Sequence, residues 1–295
     1  MYPTNTHAHA LHLVLLAGLA ALMFFTNLGG YDLWPPDEPR YAEVAREMRD
    51  SGDYLTPRVN NEPYREKPPL LFWCMAAASA PFDDVTEWPA RIPSATAGVA
   101  AMLLTYLLAR RLFNQRTAFW AALIFITLQR TWWQARFGQI DMLLCAFLLL
   151  SLYAFWRWHD ERRHRWLVLF YAACTAAIYA KGPGVLVFPT LLVIVFYWSQ
   201  IWEMIRTRTL RNREGFGKTH LILGMCIVCV LFACWVVPAR LAAGAAPDEG
   251  VSDTVAAAMP SAGETMAYGL FRQTIGRFFL GVSHANLPWN YFQTL

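Results

Sequence analysis

Charge is scarce in this sequence. Only 16% of its 295 residues are Asp, Glu, Lys or Arg, and 56% are hydrophobic. Soluble domains carry about 25% charged residues, so the composition excludes an ordinary water-soluble surface. The apolar–polar alternation of an outer-membrane barrel is missing, as are internal repeats, low-complexity tracts and a separate soluble domain. A zinc-finger cluster is missing too. The six cysteines all fall in apolar stretches, and Cys226-x-x-Cys229 has no second pair or nearby histidine to complete a tetrahedral site. They are expected to be buried thiols of membrane helices. Lys and Arg are absent from the opening segment MYPTNTHAHA, and the apolar run 11–30 ends Asn-Leu-Gly-Gly, without an A-x-A-like cleavage site. The expectation is an uncleaved first span.

What is present is a series of apolar runs close to the ~20 residues that a bilayer crossing requires. Inside lipid such runs have to be helices, because no water satisfies their backbone groups. The expected spans are 11–30, 92–112, 116–135, 139–157, 165–181, 184–203 and 219–240, forming one all-α polytopic membrane domain over 1–295. Three connectors are rich in arginine: Arg110, Arg111 and Arg116; then Arg157, Arg162, Arg163 and Arg165; then Arg206, Arg208, Arg211 and Arg213. Short basic loops face the cytoplasm. With the N-terminus expected inside, parity makes residues 31–91 one long outer loop, and the apolar stretch 69–82 cannot cross. Within that loop Tyr41, Val44, Ala45 and Met48 recur at helical spacing. They predict an amphipathic helix lying on the membrane surface.

The candidate chemistry sits in the outer segments. Asp37 follows the stiff Trp34-Pro35-Pro36 lead-in, where it is either an N-cap or a carboxylate presented at headgroup level. Glu38 beside it is either a first-turn acid favouring the helix dipole or a second site acid. Lys67, in Glu66-Lys67-Pro68-Pro69, either snorkels towards headgroups or grips a lipid phosphate. Asp141 opens a span, as a cap or as a functional acid, since an ionisable group so close to hydrocarbon is costly. Lys181 precedes Gly182-Pro183, as a snorkelling charge or a second phosphate ligand. Of seven histidines, six fall on the expected inner side and only His284 lies with the outer acids.

These motifs, in this order, resemble the polyprenyl-phosphate-dependent membrane glycosyltransferases. That family includes the protein O-mannosyltransferases and, nearest in pattern, the bacterial aminoarabinose transferases that modify lipid A. The resemblance rests on Trp34-Pro-Pro-Asp37-Glu38-Pro-Arg-Tyr41, Ser51-Gly52-Asp53, Tyr64-Arg-Glu66-Lys67-Pro68-Pro69, Arg91-Ile-Pro-Ser94, Gly138-Gln-Ile-Asp141, Lys181-Gly182-Pro183 and His284 with Pro288-Trp289. It implies a GT-C type helical bundle with interfacial helices on the outer face. It implies a sugar donor carried on undecaprenyl phosphate, and lipid A, another glycan or a protein as acceptor. By matching position, Asp37 and Asp141 are the catalytic acids, Lys67 and Lys181 the donor-phosphate ligands, and Glu66 with His284 the positions of a divalent metal, zinc by resemblance. The implied setting is the bacterial inner membrane, among membrane lipids, with the site facing the periplasm; nucleic acid is not an expected partner. Family members are longer, so C-terminal spans and a soluble domain are expected to be missing. Two rival readings remain at this point. A transporter also carries intramembrane acids, but near mid-bilayer and often in inverted repeats. A truncated, non-catalytic relative could serve as a binding or assembly partner.

Overall fold

The computed structural model describes residues 6–64 and 66–196, together with isolated positions between 198 and 238. The described chain is helical but for one small hairpin. Its elements are α1 (Thr6–Phe25), α2 (Asp37–Ser51), β1 (Arg58–Val59), β2 (Glu62–Pro63), α3 (Leu70–Ala78), α4 (Glu87–Leu112), α5 (Gln115–Thr127), α6 (Gln129–Arg136), α7 (Ile140–Glu161), α8 (His164–Lys181) and α9 (Val187–Phe196). A 3-10 turn, Pro183–Leu186, joins α8 to α9. Among the described residues, α1, α4 and α7 are long and apolar enough to cross a membrane.

Helix α4 is the central staff. It packs against α1, α5, α6 and α7, and α7 packs in turn on α8. Small residues make the close approaches possible, as in membrane helix packing generally. Ala20, Ala95, Ala101, Ala118, Ala122 and Ala135 are all fully buried. Gly98 of α4 has no room for a side chain: a Cβ there would lie 2.8 Å from the Ala135 Cβ and 3.0 Å from the Phe24 ring.

The expected span 116–135 is corrected. It breaks at Leu128, whose φ of −62° and ψ of 126° are extended, into α5 and the eight-residue α6. The 13 residues of α5 rise only about 20 Å, short of the ~30 Å hydrocarbon core. Helix α3, with nine residues, rises about 14 Å, consistent with a segment that does not cross. The expected spans 184–203 and 219–240 lie largely outside the described residues. Of the cysteines, Cys174 is buried, whereas Cys226, Cys229 and Cys234 are exposed, contrary to the expectation of uniform burial.

Two ends of this bundle differ in kind. At one end the start of α1 meets the end of α4, through a 3.0 Å hydrogen bond between His9 Nδ1 and the Tyr106 hydroxyl. Here too Arg111 reaches Asp160 at 2.8 Å, and Arg157 reaches Glu161 at 2.5 Å. This is the basic end. At the opposite end the chain from 31 to 86 folds into α2, the hairpin and α3 over the mouth of the bundle. The hairpin turns through Asn60 and Asn61, both at positive φ (54° and 62°), as two-residue hairpin turns require. Helix α2 buries Tyr41, Ala42, Val44, Ala45 and Met48, the amphipathic face read from the spacing. That face is covered by protein, with Leu71, Phe72 and Met75 of α3 in the same core, and not by the membrane surface assumed for it. Arg136 ties the mouth together. At the end of α6, it donates to the carbonyls of Met23 (3.1 Å) and Thr26 (2.6 Å) and so caps the last turn of α1.

Candidate active site

The site begins with a buried knot. Pro36, not Asp37, occupies the cap position of α2, and no side chain caps the helix. The cap reading of Asp37 is therefore corrected: Asp37 is the first helical residue, half-buried, with its carboxylate not spent on the backbone. Glu38, expected among the site acids, points the other way and is fully buried. Its two oxygens accept from Arg91 Nε (2.9 Å) and Nη2 (2.8 Å). They also accept from the backbone amides of Trp34 (2.7 Å) and Gly138 (2.6 Å). Arg91 in turn donates to the carbonyls of Leu28, Tyr31 and Asp32 at 2.8–2.9 Å and lies 3.9 Å above the Tyr31 ring. Gly138 is needed for this approach, because a Cβ there would lie 2.9 Å from the Ala90 carbonyl oxygen. A charge taken this far from water persists only when paired and fully hydrogen-bonded. Glu38 is an architectural anchor that joins α2, α4 and the α6–α7 loop.

Because the knot fixes the first turn of α2, it also fixes Asp37, Arg40 and Tyr41 beside it. The hairpin delivers Tyr64 and Glu66 to the same place. Arg40 lies 3.8 Å from Glu66, and the Tyr64 hydroxyl reaches Glu66 at 3.5 Å. Burial pushes the Tyr64 hydroxyl up to about 12; the negative charge of Glu66 adds to this, while Arg40 opposes it. Burial likewise raises Tyr41, and the charges of Asp37 and Asp141 both contribute.

Asp141 does not cap its helix either. Gln139 holds the cap position of α7 without a side-chain bond. The Asp141 carboxylate is held from two sides, by Lys181 Nζ on Oδ1 at 2.5 Å and by the Gln134 amide on Oδ2 at 3.3 Å. Lys181 stands at the end of α8, where Gly182, at φ 98°, turns the chain away. Lys67 is half-buried at the foot of α3, next in sequence to Glu66. Beside these groups an apolar depression of about 420 Å³ is lined by Tyr31, Trp34, Trp132, Trp133 and Phe137 among others.

The structure therefore brings Asp37, Asp141 and Lys181 to one end of the bundle and sets Glu38 apart as a support. His284 lies outside the described residues. Among those described, no group of three His, Cys, Asp or Glu side chains could hold a metal ion, and Glu66 already faces Arg40 and Tyr64. The described residues thus do not by themselves form a metal site. Arg91, Arg40, Tyr64 and Gln134 carry no role in the sequence-based expectations. For Arg91 a signal existed, an arginine leading into a long apolar run, where ionisable residues mark structure or function.

A family model described as dolichyl-phosphate-mannose-protein mannosyltransferase matches residues 9–243. Undecaprenyl phosphate-alpha-4-amino-4-deoxy-L-arabinose arabinosyl transferase 2 of Pseudomonas fluorescens (strain Pf0-1) is 33% identical over 198 residues, 65% of this chain and 36% of that protein. The corresponding transferase of Pseudomonas savastanoi pv. phaseolicola is 31% identical over 224 residues, 74% of this chain and 40% of that protein. The chain thus spans well under half the length of these curated relatives. Among solved structures, ArnT from Cupriavidus metallidurans in the apo state superposes with a TM-score of 0.69 at 26% identity, over 95% of this chain and 57% of that one. The same protein bound to undecaprenyl phosphate gives 0.67 at 28% identity, over 80% and 42%. The Archaeoglobus fulgidus oligosaccharyltransferase, at 17% identity and a TM-score of 0.55 over 96% of this chain and 38% of that one, shares the fold. The helical GT-C architecture expected from the sequence is the one observed, and the chain belongs to the dolichyl-phosphate-mannose-protein mannosyltransferase family.

Proposed function

We propose that this chain carries the donor site of a membrane glycosyltransferase that moves a sugar from an undecaprenyl-phosphate-type carrier to an acceptor, with lipid A ahead of other glycans or proteins. The observation that carries this reading is the placement of Asp37, Asp141 and Lys181 at one end of the bundle: Glu38, next to Asp37, accepts from the Gly138 amide three residues before Asp141, and Asp141 in turn holds Lys181. Caps and snorkelling charges have no reason to meet. A lipid-phosphate donor requires it: the phosphate needs a cation, and the reacting carbon needs a carboxylate. The donor class is supported by the relatives, which are named for undecaprenyl phosphate aminoarabinose, and by the solved relative that binds undecaprenyl phosphate.

In the reaction, the bond between the sugar C1 and the phosphate oxygen breaks and a bond from C1 to an acceptor oxygen forms. The departing polyprenyl phosphate keeps the electron pair, so negative charge grows on its oxygens. Lys67 and Lys181 stabilise that charge where water is scarce. For a hydroxyl acceptor Asp37 takes the proton; for a phosphate acceptor it orients the acceptor and stabilises the positive charge developing on the sugar ring. Lys181 is held by Asp141, half exposed, so an arriving phosphate can share it without unfolding anything.

The arginine-rich connectors support a basic end in the cytoplasm and a site facing the periplasmic side of the bacterial inner membrane. Reporter fusions near Arg162 should read inside and fusions near Asp50 outside. The metal expected at Glu66 and His284 belongs to this proposal as a separate element, and no step depends on it.

The test uses membranes containing the protein, undecaprenyl phosphate aminoarabinose and lipid A, with product followed by mass spectrometry. Asp37→Asn should lower transfer by about 10²-fold or more, the scale of a lost general base, while undecaprenyl phosphate still binds. Lys67→Ala should mainly weaken donor binding. Normal transfer by Asp37→Asn would remove Asp37 from the chemistry. Donor binding without transfer by the unmodified protein would leave a binding partner, not an enzyme.

A further inference from the structure

The break at Leu128 gives α6 a direction of its own, and α6 brings polar side chains into the protein next to the site. Its buried residues are Thr131, Gln134, Ala135 and Arg136. Arg136 is accounted for by the end of α1, which its guanidinium caps. Gln134 is not accounted for by any backbone group. Its side chain is 6% exposed, its amide nitrogen donates to Asp141 Oδ2 at 3.3 Å, and its amide oxygen is buried with no hydrogen-bond partner among the described residues.

A buried amide oxygen without a partner costs stability. Leucine or methionine would fill a similar volume at this position without that cost. A glutamine kept for packing alone has no reason to point its nitrogen at a carboxylate and strand its oxygen. The orientation also has a physical cause, since the flipped amide would set a carbonyl oxygen against the Asp141 carboxylate. The nitrogen therefore faces Asp141, whose Oδ2 accepts from it.

We infer that Gln134 is a positioning residue for Asp141. It holds Oδ2 from the buried side while Lys181 holds Oδ1 from the open side. The division of labour matters when a donor phosphate arrives. Lys181 is the partner that a phosphate can draw away, because it is exposed and cationic. Gln134 is neutral and enclosed, so it stays. The carboxylate then keeps its orientation through the step in which its lysine is shared. This inference rests on the glycosyl-transfer reading for its purpose, but the Gln134–Asp141 contact can be tested without transfer.

The charged and titratable groups around the pair enter the test directly. Lys181 faces Asp141 from α8, and Tyr41 from α2 is coupled to both Asp141 and Asp37. Arg136 neighbours Gln134 on α6 but turns to the carbonyls at the end of α1. A hydrogen bond to the ionised form of a carboxylate lowers its pKa, and a second carboxylate in contact raises it.

The protein in nanodiscs is labelled with a water-soluble carbodiimide, which reacts with the protonated carboxyl, across a pH series, and labelling at Asp141 is read by peptide mass spectrometry. Gln134→Leu should move the Asp141 midpoint up. Gln134→Glu should move it further, because the two carboxyls share a proton. In the transfer assay Gln134→Leu should lower kcat about tenfold with little change in donor KM. Gln134→Glu should retain activity at acidic pH, where its carboxylic acid still donates to Asp141, and lose it as pH rises. Gln134→Leu and Gln134→Glu variants that both leave the Asp141 midpoint where it was would overturn the inference, whatever their activity. A shifted midpoint in a protein that transfers no sugar would uphold the contact and reject the glycosyl-transfer reading instead.

Discussion

Glu38 and Asp141 each face one cation at the same end of the bundle. Glu38 and Arg91 are 0% exposed, whereas the Asp141 and Lys181 side chains stand 39% and 45% exposed. The difference follows from what surrounds each acid. Around Glu38, two backbone amides and a bidentate guanidinium satisfy both oxygens, so water is not needed. Around Asp141 there is one ammonium on a flexible stem and one amide, and the rest of the carboxylate is open. The first arrangement can only hold a shape. The second can exchange partners. A carboxylate near a membrane surface therefore reads as structural or chemical not from its pairing, which both have, but from whether its remaining lone pairs are spent.

The comparison is broken most severely at the buried pair. Arg91→Leu removes five donated hydrogen bonds and strands the Glu38 carboxylate in the interior. Breaking a buried pair from one side costs about 3–5 kcal/mol. The expected outcome is protein that is poorly recovered in detergent, with an unfolding temperature well below that of the parent by fluorescence. Glu38→Gln should be milder, because its amide oxygen still accepts from one backbone N–H. Equal stability of Arg91→Leu and the parent would show that the knot is not what organises the mouth.

The open pair should behave in the opposite sense. Lys181→Met should change stability by at most about 1 kcal/mol, the range of exposed ion pairs. It should nevertheless reduce sugar transfer about 10²-fold, as expected for loss of a group that stabilises charge in the transition state. Asp141→Asn should behave similarly. A variant at either position that unfolds like Arg91→Leu would move this pair into the structural class.

The positions of the long helices were legible because apolar run length and the bilayer thickness constrain each other. Helix α4 begins at Glu87 where the apolar run suggests 92, and α7 runs to Glu161 instead of 157, since polar ends continue a helix beyond the hydrocarbon. The face of α2 was legible from its spacing, but what covers it was not. An apolar stripe records burial without recording whether lipid or Leu71 and Phe72 does the burying. The break at Leu128 was illegible because apolar residues continue past it, as Trp132 and Trp133. The hairpin was missed although Val59-Asn60-Asn61-Glu62 carries the residues that tolerate positive φ. Asp37 and Glu38 could not be separated, since both are first-turn acids after the same prolines. Their division depends on Arg91, which is more than fifty residues away. Asp141 and Lys181 were each singled out from their own motifs, yet their contact is a fact of α7 packing on α8. His284 carries the remaining expectation, outside the described residues.

The smallest effect is expected at a third ion pair, which calibrates the other two. Arg46 of α2 meets Asp84 in the α3–α4 connection at 2.7 Å, and both side chains are at least a third exposed. The hydrogen bond from Arg46 holds the Asp84 carboxyl below its usual range, opposed by slight burial and helped by the Val85 amide. A carboxyl whose pKa is lower folded than unfolded contributes stability above the unfolded value of about 3.9, and that contribution is lost as pH falls through the folded value. With this exposure the contribution is at most about 1 kcal/mol, and salt reduces it. Asp84→Asn should thus unfold slightly more easily than the parent at pH 7, and the difference should shrink below about pH 4. It should also shrink in about 1 M salt, where screening acts over about 3 Å. Thermal unfolding followed at several pH values and two ionic strengths measures both trends. A deficit that persists at low pH and high salt would mean that Asp84 supports the start of α4 through its contact with the Val85 amide, and that even a surface acid here belongs with the Glu38 knot.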